Sequence, residues 1–257
     1  MVDVNWIGLY TLIRREVERL LFRLPVQVIL SPLVSASLFI LTFGFILGRK
    51  IDLIAGVSYI EFVFPGILTM NIIGVAFEHT SSAVYFARFI KNIEELLVAP
   101  FSYMELIAGY VISAILRALI IAFGIVGIGI LFGAVAFVHP GLFVLYTIAI
   151  ATIFALLGII IGLWAKSFEQ FGLLGTFVLT PLSFLGGIFY SISFLPDTLM
   201  RITLANPFFY FIDGMRYSMI GITESNLSLG VVIIVGLASS LGGLVWYLFK
   251  ISWRLRD

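Results

Sequence analysis

Arg88-Phe-Ile-Lys-Asn-Ile-Glu-Glu-Leu-Leu-Val-Ala-Pro100, running on into Phe101-Ser102-Tyr103, is the most polar interior stretch of a chain that is greasy on both sides of it. Phe86, Phe89, Ile90, Ile93, Leu96 and Leu97 fall three or four apart, the spacing of one helical face, and Arg88, Lys91, Asn92, Glu94 and Glu95 take the other. Pro100 has no N–H and disfavours helix in the residue before it, so the helix is expected to stop near Ala99. A charged amphipathic helix between two apolar runs lies in a membrane interface with its polar face to water, where a soluble partner can grip it. A solvated connecting helix with no partner is the reading that amphipathicity leaves open.

The flanks are apolar enough to span a bilayer. Of 257 residues 61% are hydrophobic and 11% charged, far from the balance of a soluble domain. A span needs about 20 apolar residues, and six fit: about 26–47, 62–84, 106–133, 142–164, 171–192 and 230–249. The third apolar run continues to Val138, longer than a ~30 Å hydrocarbon core requires, so it is expected to tilt or protrude. Residues 5–24 read as an amphipathic interface helix. Trp6, Leu9, Ile13, Val17, Leu20 and Leu24 form its apolar stripe, against Arg14, Arg15, Glu18 and Arg23; packing on another subunit is the alternative. The expectation is an all-α integral membrane protein, one transmembrane domain over 1–257. No cleavable signal peptide is expected, and with no cysteine there is no disulfide or thiolate chemistry.

Charge sets the orientation. With both termini inside, the inner segments carry ten cations: Arg14, Arg15, Arg19, Arg23, Arg88, Lys91, Lys166, Lys250, Arg254 and Arg256. The outer ones carry four, Arg49, Lys50, Arg201 and Arg216, with Arg117 left inside a span. That satisfies the positive-inside rule and puts the 86–100 helix in the cytoplasm.

Residues 193–212 are too short and broken for two full crossings. Pro196 and Asp197 mark a helix start, and Asn206-Pro207 marks a break. An outer re-entrant helical hairpin is expected, covered by protein or a wet cavity; a plain external loop is the alternative.

Several phrases in this order carry a resemblance. Asn92-Ile-Glu-Glu-Leu-Leu-Val-Ala-Pro-Phe-Ser102 leads into Ile107-Ala-Gly-Tyr110. Further on stand Thr180-Pro-Leu-Ser-Phe-Leu-Gly-Gly-Ile-Phe-Tyr190, Leu195-Pro196, Asn206-Pro207 and Gly214-Met-Arg-Tyr217. Together they resemble the membrane subunits of type-2 ATP-binding-cassette exporters, over nearly the whole chain. The resemblance implies that Arg88, Lys91, Asn92, Glu94, Glu95 and Pro100 belong to a coupling helix docking on an ATPase. It implies that Pro196, Asp197, Asn206, Pro207, Arg216 and Tyr217 belong to the outer hairpin or gate. It implies two copies of this chain with two cytosolic ATPase subunits, which would bind ATP and Mg, in a prokaryotic cytoplasmic membrane.

Charges inside spans are functional candidates by default. Glu78 and His79 lie in the second span and Arg117 in the third; a Glu78–Arg117 pair is the working hypothesis, either fixing helix packing or acting as a latch in a transport path. Gly129-xxx-Gly133 and Gly158-xxx-Gly162 allow close helix approach. There is no phosphate-cradling Gly-x-x-x-x-Gly-Lys-Ser/Thr run, no metal-ligand spacing and no catalytic triad, so no cofactor in this chain and no nucleic-acid role are expected. The function implied is outward movement of a hydrophobic or amphipathic substrate (a drug, a lipid or a lipid-linked glycan) driven by a separate ATPase. A non-transporting scaffold that recruits a cytosolic partner through residues 86–103 is the competing reading.

Overall fold

The computed structural model describes residues 6–18, 29–48, 51, 53–90 and 102–254. All regular structure among them is helical, apart from one isolated bridge between Ile54 and Val57. That bridge closes a tight turn whose central residues Ala55 and Gly56 both have positive φ. We label the helices α1 (Trp6–Glu18), α2 (Ser31–Phe39), α3 (Tyr59–Phe89), α4 (Tyr103–Leu131) and α5 (Pro140–Trp164). They are followed by α6 (Phe168–Leu185), α7 (Asp197–Ala205), α8 (Pro207–Ile220) and α9 (Leu227–Lys250). Helix α2 continues as a π-helix over Ile40–Leu47, and α6 has a π-wound middle over Gly175–Leu179.

Helices α3, α4, α5, α6 and α9 are each long and apolar enough to cross a membrane. The expected first span is helical through Leu47, but only from residue 29 onward is it described, which leaves five full-length candidates where six were expected. Helix α1 packs on α4, and its Arg14 Nε sits 2.7 Å from Glu18 Oε1 on an exposed face. The expected continuation of that helix to residue 24 lies outside the described residues.

The axis of the bundle is α3, buried along most of its length and packed most extensively on α5. Ser58 and Glu61 cap its start reciprocally, and Ser102 and Glu105 do the same for α4. Small residues set the α3–α5 contact. A Cβ on Gly158 would fall on Thr80 Oγ1 and 2.6 Å from the Phe77 carbonyl, and one on Gly162 would lie 2.7 Å from the Ser81 carbonyl. Thr80 Oγ1 also donates to the Ala155 carbonyl at 2.9 Å, a polar tie between the two helices. The other candidate pair behaves differently. Gly129 faces the Phe64 ring, whereas Gly133, with φ +64°, ends α4. The long third apolar run therefore stops being helical at Leu131, and residues 134–137 carry no helix.

Helix α8 lies along α5 in the opposite sense. Phe208 meets Phe154 with ring centroids 5.3 Å apart, Gly214 accommodates the Tyr146 ring, and the carbonyl of Ser218 accepts from His139 N at 2.9 Å. The start of α8 is thus level with a residue roughly 21 Å along α5 from Pro140, at 1.5 Å per residue. The break before it falls at Asn206-Pro207, as the sequence suggests, with Asn206 Oδ1 capping Phe208 N at 3.1 Å.

Candidate functional site

A cleft of about 570 Å³ opens between α2, α3 and α6, with Arg117 of α4 at its edge. Its wall is unusually polar for an apolar bundle. Ser31 and Ser35 come from α2, Asn71, Glu78 and Ser82 from α3, and Thr176, Thr180 and Ser183 from α6. Several of these spend a hydrogen bond on their own helix: Ser183 Oγ donates to Leu179 O at 2.8 Å, and Asn71 Nδ2 to Ile67 O at 2.9 Å. A hydroxyl that donates backward in this way keeps its lone pairs for the cleft. Helix α6 contributes through its π-wound turn, where Thr176 and Leu179 reach the wall; such wide turns recur at functional sites because they re-aim side chains.

Two of the three ionisable residues expected within spans reach this cleft, and the third, His79, lies buried beside Arg117. Glu78 and Arg117 both line it. His79 also faces the Arg117 guanidinium, its Nδ1 lying 3.3 Å from Nη1. Arginine can only donate, so Nδ1 accepts and the ring proton sits on Nε2. Nε2 then donates to Ser113 Oγ at 3.2 Å, and the Ser113 hydroxyl in turn donates to the Tyr110 carbonyl at 2.9 Å. The relay runs one way and fixes the buried imidazole in a single neutral tautomer.

A second polar cluster closes the end of the bundle where α3 begins. Arg216 is fully buried. Its Nη2 donates to the Gly187 carbonyl at 2.8 Å, its Nε to the Phe62 carbonyl at 3.4 Å, and its Nη1 faces Glu224 Oε2 at 3.2 Å. The guanidinium also stacks over the Phe62 ring, 3.9 Å from its centre. One helical turn earlier Asp213 accepts from Thr223 Oγ1 and Glu224 N, both at 2.8 Å, and from Ser225 N and Oγ. Glu224 is completed by the Ser191 hydroxyl. Asn206 Nδ2 donates to Leu182 O at 2.7 Å, fastening the α7–α8 junction to α6.

Of the outer residues expected from sequence, Asn206, Pro207, Arg216 and Tyr217 are drawn into this packing, Tyr217 against the His139 ring at 5.3 Å. Pro196 and Asp197 start α7 on the exposed surface and touch none of it. Asp213 and Glu224 were not singled out. The signal was available, since Asp213 and Arg216 stand three apart in an apolar helix, where an unpaired charge is too costly to keep.

The ABC-2 type transporter family model matches residues 8–220. The chain belongs to that family. It is 36% identical to the "Inner membrane transport permease YadH" of Escherichia coli (strain K12), over the whole of both chains. It is 27% identical to "Nodulation protein J" of Rhizobium leguminosarum bv. viciae, over 78% of each. To the protein of that name in Rhizobium meliloti (strain 1021) it is 28% identical, over 75% of this chain and 74% of the other.

The segment expected to couple this ABC-2 chain to a partner begins at the far end of α3. The helix runs on without interruption to Phe89, so residues 86–89 belong to α3 and not to a separate helix. Lys91, Asn92, Glu94, Glu95 and Pro100 lie outside the described residues. Arg88 turns inward: its Nη1 donates to the carbonyls of Leu163 at 2.7 Å, Gly162 at 3.1 Å and Ala165 at 3.3 Å. Arg254, beyond α9, donates to the next one, Trp164 O, at 2.6 Å. Two cations thus satisfy the orphan carbonyls at the negative end of the α5 dipole in this ABC-2 bundle.

Proposed function

We propose that this chain is the membrane-spanning subunit of an ATP-driven exporter in the inner membrane, with both termini cytoplasmic. Two copies pair so that the clefts between α2, α3 and α6 face each other and form the substrate path, and each copy engages a cytosolic ATPase through residues 91–100. ATP and Mg are bound by that ATPase. The observation that carries the reading is the cleft: four helices of an apolar bundle turn hydroxyls, an amide and two opposite charges toward one space. A scaffold that only recruits a partner has no use for such a wall, and a buried polar face costs stability unless something polar passes or pairs there.

Closure of the ATPase pair would push the 91–100 segments and tilt α3, which carries Asn71, Glu78 and Ser82 on the cleft wall. The α7–α8 hairpin would shape the outer exit, re-entering the membrane to the depth of Phe154. Its support is the register of α8 along α5 from Phe154 back to His139. The substrate class that suits a wall of hydroxyls between apolar helices is amphipathic: a drug, a lipid or a lipid-linked glycan.

Co-purification with the ATPase is the test. The wild-type complex is expected to turn over ATP, and Glu94→Lys with Glu95→Lys to abolish both association and turnover. A stable chain that retains no ATPase from its own organism's membranes would sink the exporter and leave the scaffold.

A further inference from the structure

Outside the polar cleft, on the opposite side of α6, a second groove of about 420 Å³ lies between α5, α6 and α9. Ile160, Ile161, Leu174, Leu244 and Leu248 line its length, and the indoles of Trp164 and Trp253 close one end. The groove is almost wholly apolar, yet its tryptophan end is cationic. Arg254 stacks on Trp253 at 5.2 Å while holding the Trp164 carbonyl; Lys250 stacks on Trp246 at 5.0 Å, on the other face of α9 from Leu244 and Leu248. Lys166 follows Trp164 by two residues.

The backbone is bent to build this end. After Lys250 the chain reverses in a helix-terminating turn: Trp253 N donates to Leu248 O and Ser252 N to Phe249 O, each at 3.0 Å. The position that needs a left-handed backbone is Ser252, at φ +53°, and Arg254 is left-handed too, at the same φ. Glycine is the usual residue there, and an L side chain strains the turn. The strain is spent on folding Trp253 back over Leu248 and carrying Arg254 to the end of α5. Strain of this kind collects at ligand clamps.

We infer that this groove binds one acyl chain of an anionic phospholipid, with the lipid phosphate held by Arg254. An apolar slot capped by indoles suits an acyl chain entering from the headgroup level, where tryptophan is favoured. Arg254 uses one of its five N–H donors on Trp164, leaving others of the planar fork for phosphate oxygens. The orientation proposed above puts this end at the inner leaflet, where anionic lipid is attracted to such cations. The inference requires only that the chain lies in a membrane, so it stands or falls apart from transport.

Tryptophan emission reads it directly. The chain has four tryptophans, and in a Trp6→Phe, Trp246→Phe background only Trp164 and Trp253 report. In phosphatidylcholine vesicles, phosphatidylglycerol brominated along its chains is expected to quench at a several-fold lower mole fraction than phosphatidylcholine brominated in the same way. Arg254→Gln should weaken the preference about fivefold, one cation's share of anionic attraction, and Lys250→Gln, on the other face of α9, should change it far less. Arg254→Lys keeps the charge and should keep most of the preference, so it carries the test if the glutamine variant fails to fold. Leu174→Phe with Leu244→Phe narrows the slot and should lower quenching by both lipids. Equal quenching by the two brominated lipids overturns the inference, as does a preference unchanged in Arg254→Gln. Emission that ignores lipid and changes only on self-association gives the groove to a protein partner and overturns it as well.

Discussion

Taking the Arg216 guanidinium out of water is costly, and the fold repays that cost with two carbonyls, a carboxylate and an aromatic face. Removing one member of a buried, hydrogen-bonded charge pair typically loses about 3–5 kcal/mol, because the other is stranded. Arg216→Gln is therefore expected to lower the unfolding temperature of the detergent-solubilised protein sharply. Arg216→Lys should recover little, because an ammonium cannot hold three acceptors in the plane of a fork. A glutamine variant that melts with the wild type would show the cluster to be ornamental. The cleft charges call for a different experiment. Glu78→Gln and Arg117→Gln each unbalance the charge of the wall by one unit in opposite senses, and the double change restores neutrality. If these charges latch the path, substrate-stimulated ATP turnover should fall in each single variant and recover in part in the double. Normal turnover in both singles would remove the latch.

Among elements, the α3–α5 contact depends on Gly158 and Gly162, where a side chain would collide with backbone carbonyls of α3. Gly158→Val is expected to separate the helices and cost about 1–3 kcal/mol or more by overpacking, read as a lower unfolding temperature. Gly127→Ala meets open space and should leave it unchanged. Much at this scale was legible in the residues. The apolar runs gave the long helices, and Asn206-Pro207 gave the α7–α8 break. Other features were hidden for physical reasons. Two glycine pairs with the same spacing read alike, and only the left-handed backbone at Gly133 separates a helix end from a packing face. The Ser58-x-x-Glu61 and Ser102-x-x-Glu105 boxes were readable as starts of α3 and α4 but are easily lost in apolar sequence. No local pattern says that Arg88 points at another helix and not at water, nor that His79 stands between Arg117 and Ser113, because those partners come from distant parts of the chain.

For the molecule as a whole, the proposed pairing is tested by which face would meet a second copy. The chain has no cysteine, so single cysteines can be introduced without background. Cysteines at Asn71 or Thr176 are expected to react with a water-soluble maleimide and to cross-link to their counterparts when the clefts of two copies face each other. Reaction only with a membrane-soluble reagent would put the cleft against lipid. The paired arginines at the end of α5 carry one last consequence. Arg88 arrives from α3 beside the segment where force would enter, and Arg254 arrives from the tail of α9. In the proposed exporter a stroke delivered there would be split at once: one share would run along α3 past the cleft wall, the other along α5 to the hairpin that α5 holds from Phe154 to His139. Opening at the inside and rearrangement at the outside would then be two readings of one displacement, with no relay between them. Cutting the chain after Lys250 would leave every helix its full length while freeing one half of that clasp, and the exporter would be expected to idle, burning ATP out of step with cargo.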